Sequence, residues 1–228
     1  MKQTIKNIWK SLSRVNGNSL AEFATVSALM ATLAATAAPK LSEMSEGTKG
    51  EKSGKEIDKI LTQAGNFYQA TADTEGRGRF PGQEKYTMDV GGYGRESKMA
   101  DEDDHASNAT SDLAAVYTAL ETFNSYDDGE GAKWSSVFGT SRPQGASVMD
   151  DPYTACENCT SSDKSHNKTG SMEMLQLFNG NSLESRFQDG HYIYVVIQGG
   201  GSGERAFPPV MVVADLENPS DFNNSLEP

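Results

Sequence analysis

Apolar positions follow three patterns along this chain. From Leu20 to Ala38 they run almost unbroken, and the one charge among those 19 residues is Glu22. As a helix, that stretch would be about 28 Å long at 1.5 Å per residue, close to the thickness of a hydrocarbon core. Further on, Ile57, Ile60, Leu61, Ala64, Phe67 and Tyr68 recur at helical spacing, which predicts an amphipathic helix ending near Thr71. Leu113, Val116, Tyr117, Leu120 and Phe123 predict another over 110–126, capped by Thr110 or Ser111. Between the first two stretches Gly47, Gly50 and Gly54 weaken helix by about 1 kcal/mol each, so 40–54 is expected to be frayed or looped. The third pattern is β-branched and aromatic: 191–198 and 210–215 read as two strands of an antiparallel hairpin, joined through the glycine-rich stretch 199–203. The terminal residues after Asp215 are expected to hang at the edge of that sheet, and 140–170 is expected to be loop.

Charge sharpens the reading of the N-terminus. The 228 residues carry 20 Lys and Arg against 32 Asp and Glu, a net of −12. Lys2, Lys6, Lys10 and Arg14 all fall in the first 17 residues, which contain no acid. Without them the balance is 20 − 4 = 16 basic against 32 acidic groups, a net of −16. A basic leader before an apolar span stays on the cytoplasmic side of a membrane. The acidic remainder argues against nucleic acid as a partner, because phosphate binding needs a basic face.

Glu22 is the residue that a plain export signal does not explain. A carboxylate within an apolar helix is costly to insert and marks function by default. Ala35-Thr36-Ala37 offers a small-residue cleavage site, so a removed signal peptide or an uncleaved anchor on an exported monomeric binding domain is one reading. The alternative rests on spacing. The basic leader ends in Gly17; Glu22 is fifth after it (22 − 17), and Pro39 is twenty-second (39 − 17).

In these residues the chain resembles the type IV pilins and the pseudopilins of type II secretion. The resemblance implies cleavage after Gly17 by a prepilin peptidase, a methylated amine on Asn18, and filament assembly through Glu22, Phe23 and Pro39. Asn18 departs from the Phe or Met usual at that place. The family's Glu pairs with the N-terminal amine of a neighbouring subunit, and its Pro opens the helix so that helices pack around a common axis. The implied fold is α+β: a leader (1–17), a long helix (18–75) partly melted near Pro39–Gly54, and a globular head (76–228). The head would hold a further helix and a small antiparallel sheet closed by a C-terminal hairpin. The implied partners are copies of the chain itself in a helical homopolymer, the peptidase and an inner-membrane assembly platform. The subunit would wait in the inner membrane and end at the cell surface as an extracellular filament. The alternative that the resemblance leaves open is a pseudopilin of type II secretion, with the same Gly17, Glu22 and Pro39.

Little else in the sequence carries chemistry. Cys156-x-x-Cys159 reads as half a zinc site, a redox pair or a local disulfide. The missing second ligand pair and the missing βαβ context favour the disulfide in an exported protein. The acidic run 101–104 suits a solvated loop or helix start. Asp215 and Glu217, beside a turn, are weak calcium candidates, and no cofactor is expected. His105, His166 and His191 are expected at the surface or at an edge, and no nucleophile motif points to an enzyme. Asn108, Asn158, Asn167 and Asn223 head acceptor-type sequons.

Overall fold

The computed structural model describes residues 2–93, 105–123, 131–139, 164–187, 191–201 and 206–228. For 2–19, 105–111, 132 and 164–169 that description extends to the backbone only. The acidic run 101–104, Cys156, Cys159 and Asn158 lie outside it.

Three α-helices, a short 3-10 helix (Gly131–Lys133) and four strands are described. Helix α1 is Lys2–Glu75, α2 is His105–Glu121 and α3 is Lys164–Leu177; the strands are β1 Ser135–Ser136, β2 Tyr192–Ile197, β3 Val210–Asp215 and β4 Asn223–Leu226. The chain divides into two units, Met1–Thr48 and Lys49–Pro228, so α1 contributes to both.

In the second unit a four-stranded antiparallel sheet of order β1-β2-β3-β4 is covered on both faces. Register fixes the alternation: Tyr192 faces Asp215, Tyr194 faces Val213 and Val196 faces Met211. Tyr192, Tyr194, Val196, Met211 and Val213 point into one core with Ile57, Ile60, Leu61 and Ala64 of α1, Phe80, and Met174 of α3. Ile193, Val195, Ile197, Val210, Val212 and Ala214 point into the other, with Val116 and Leu120 of α2 and Trp134. A strand with both faces buried needs apolar side chains at nearly every position, which is why β2 and β3 read as near-continuous apolar runs, Asp215 at the end of β3 excepted.

The expected α+β class, long N-terminal helix and hairpin are therefore present. Four local expectations differ. First, residues 40–54 are helical, not melted. Gly50 packs so closely that a Cβ there would stand 2.7 Å from Cζ of Phe222, and Ser53 Oγ donates to Asp215 at 2.8 Å. These tertiary contacts offset the weak propensity of the glycines, and the helix also continues through Pro39. Second, α1 runs four residues past Thr71 to Glu75, where Gly76 takes φ 82° and donates to the Ala72 carbonyl at 3.0 Å. Such a positive φ after the last turn is a common glycine helix stop. Third, α2 spans His105–Glu121, so Thr110 and Ser111 lie within it and not at its start. Fourth, 164–177 is a helix where loop was expected up to 170, and the terminal segment supplies β4, paired with β3 from Met211↔Leu226 to Ala214↔Asn223.

Candidate functional site

The apolar half of α1 lies in the first unit and buries none of its large side chains. Leu20 and Phe23 are each 73% exposed, and even the least exposed of the set, Val26, is 48% exposed. Leu29, Met30, Leu33, Leu41 and Met44 are exposed as well. One helix segment among the described residues, Leu20–Glu75, contains a window long and apolar enough to cross a membrane, with none of that window buried. A folded protein that leaves a continuous apolar helix bare carries a surface for lipid or for another protein.

The threonines of this segment behave as apolar residues. Thr25 Oγ1 donates to the Glu22 carbonyl at 2.9 Å, Thr32 Oγ1 to Leu29 at 2.9 Å and Thr36 Oγ1 to Thr32 at 3.0 Å. With each hydroxyl returned to its own backbone, the helix presents mostly methyl and methylene groups. Against that background the Glu22 carboxylate stands exposed. Phe23 beside it is exposed too, and Pro39 lies within the helix. Gly17 and Asn18 occupy its helical backbone. The assembly residues named from sequence thus share one helix and one unit.

The two calcium candidates, Asp215 and Glu217, differ in exposure. Asp215 is fully buried, and both its oxygens are engaged: Oδ2 accepts from Ser53 at 2.8 Å and Ser185 at 2.6 Å, and Oδ1 from the Glu217 amide at 3.1 Å. Burial holds its carboxyl above the ordinary value, partly countered by those donors, and the Glu217 side chain is exposed. No group of three or more metal-ligating side chains occurs among the described residues.

The same corner ties α1 to the sheet. Tyr192 donates its hydroxyl to Glu56 Oε2 at 2.6 Å, and Arg186 Nη2 lies 3.6 Å from Glu56 Oε1. Burial first, then the bond to Glu56, raises the Tyr192 pKa. The Ser53 hydroxyl has no exposure and donates to Asp215, so the cluster braces the helix against the sheet.

His191 was expected at an edge and is buried at 3% exposure, where desolvation lowers its pKa to about 4. His105 opens α2 and His166 lies in α3, not in a loop. Of the sequons, the Asn223 amide nitrogen donates to the carbonyls of Pro219 at 2.7 Å and Ser220 at 3.0 Å. An acceptor nitrogen held by two bonds is poorly placed for glycosylation in the folded chain. Sequence reasoning missed Ser53, Glu56 and Ser185, because only their partners on the sheet reveal their roles.

Compared with protein-family models, with curated proteins and with solved structures, the chain matches none.

Proposed function

We propose that this chain is the structural subunit of an extracellular, type IV pilus-like filament, built by packing of its apolar helices after leader cleavage. The observation that carries the reading is the bare apolar half of α1 with its lone carboxylate, attached to a chain whose remaining residues have their own two-sided core. Before assembly the apolar segment rests in the inner membrane, with the basic leader on the cytoplasmic face. A prepilin peptidase cleaves after Gly17 and frees the Asn18 amine. In the polymer that amine and the Glu22 carboxylate of a neighbour neutralise each other, so neither remains an uncompensated charge in an apolar core. The assembly platform draws subunits out of the bilayer, and the heads form the filament's outer surface.

Mass spectrometry of the mature subunit, together with electron microscopy of sheared cells, tests this reading. An N-terminus at Asn18 in extended surface filaments supports it. Cleavage near Ala38, or a monomer with an intact N-terminus, refutes it in favour of an exported binding domain. Processing at Asn18 in short periplasmic fibres would assign the subunit to a secretion pseudopilus.

A further inference from the structure

The apolar half of α1 has two unlike sides. Measured from Glu22 at about 100° per residue, Val26, Leu29, Leu33 and Met44 point within about 40° of it, and Phe23, Met30 and Leu41 within about 100°. Ala24, Ala31, Ala35 and Ala38 point the opposite way, with Leu20 as the one bulky residue among them. Lys40 belongs to the bulky side. It lies 40 − 22 = 18 residues from Glu22, which is five whole helical turns, or about 27 Å along the axis.

These two charges are singular in the sequence. Glu22 is the only acid before Glu43, and Lys40 is the only base between Arg14 and Lys49. Both side chains are exposed, and α1 is helical throughout the interval, so the phase between them is kept. Eighteen residues apart on one helix, they cannot reach each other. Glu43, one turn beyond Lys40, can meet it in the isolated chain, but a solvent-exposed pair of that kind contributes little. Two opposite charges in phase on an otherwise apolar face match a second copy of the same face, laid parallel and shifted by that interval.

We propose that, in the assembled filament, Lys40 of one copy pairs with Glu22 of a parallel neighbour displaced by about 27 Å along the axis. This rests on the filament reading above and adds a second partner for the carboxylate. The Asn18 amine is only four residues, about 6 Å, from the level of Glu22, so it serves a neighbour with a small displacement. The two contacts therefore come from different neighbours. A carboxylate has two oxygens and accepts from both. The pair sets the axial stagger of that neighbour, since intermediate shifts in the same direction leave both charges facing the apolar side chains between them.

The test uses filaments of the full subunit grown from a mixture of isotopically light and heavy copies. Zero-length carbodiimide coupling is followed by peptide mass spectrometry. The expected product joins the Glu22 peptide of one copy to the Lys40 peptide of another; filaments that yield no such hybrid peptide overturn the proposal. Lys40→Gln should leave cleavage at Gly17 intact while lowering sedimentable filament roughly tenfold or more, and Lys40→Arg should restore it. Normal filament yield from Lys40→Gln overturns the stagger pair while leaving the filament reading intact. If the unaltered, Asn18-processed chain forms no filaments, both fall.

Discussion

Acid should weaken the head through His191. The residue is 3% exposed, and its folded pKa is about 4 against 6.5 for the free side chain. Below pH 6.5 the unfolded chain binds a proton that the folded chain refuses, so stability falls as pH drops and levels off below about 4. The gap of 6.5 − 4 = 2.5 pH units corresponds to about 3 kcal/mol at that limit, and to about 2 kcal/mol already at pH 5. That is a sizeable share of the roughly 5–15 kcal/mol of an ordinary domain. Asp215 acts in the opposite sense. Its carboxyl titrates above 3.8, so the folded state gains a proton first and stability rises as pH falls through its folded pKa. The two are separated by comparison with His191→Gln, which removes one titration and keeps the other. Urea unfolding of a chain that begins at Asn18 can be followed by Trp134, which is fully buried and is the one tryptophan of that chain. Wild type minus variant should lose about 2 kcal/mol between pH 7.5 and 5. A difference that stays flat over that interval refutes the assignment of a buried, neutral His191.

Glu22→Ala should leave processing at Gly17 intact but stop polymerisation, so cleaved subunit accumulates in the membrane fraction; normal filaments would end the mechanism described above. Gly17→Val should instead retain the basic leader, seen as an intact mass that includes residues 1–17. Two glycines of α1 should answer oppositely to alanine. Gly54 has open space around it, so Gly54→Ala should raise unfolding stability by about 0.5–1 kcal/mol, whereas Gly50→Ala drives a methyl into Phe222 and should lower it. Without residues 1–17 the chain has 16 basic against 32 acidic groups, and subunits of net −16 should repel, so filaments should bundle as salt or divalent cations are added; light scattering unchanged across the titration would contradict this.

Much of the architecture was legible because its signals are local. The apolar run from Leu20, the single acid within it and the proline at its end need no partner to be seen. β2 and β3 were legible too, since a strand buried on both faces must be apolar at nearly every position. The amphipathic stripe from Ile57 to Tyr68 marked the half of α1 that enters the core: Ile57, Ile60, Leu61 and Ala64 are buried there, and Phe67 and Tyr68 are half-buried.

What the sequence hid depends on contacts between distant segments. The glycines of 40–54 predict a melted helix by propensity alone; Phe222 over Gly50 and Asp215 beneath Ser53 override that from the far end of the chain. β4 consists of Asn223, Asn224, Ser225 and Leu226, poor strand formers held by the ladder of β3. α3 is polar along most of its length and is anchored through Met174, whose burial no periodicity announces. Asp215 looked like an open ligand, and only the fold supplies the two serine hydroxyls and the amide that occupy it. Propensity and hydrophobic period act over one or two turns of chain, so sequence determined the elements that satisfy themselves locally. Burial and hydrogen bonding between segments that meet only in the tertiary structure decided the others, and those exist only once the chain is folded.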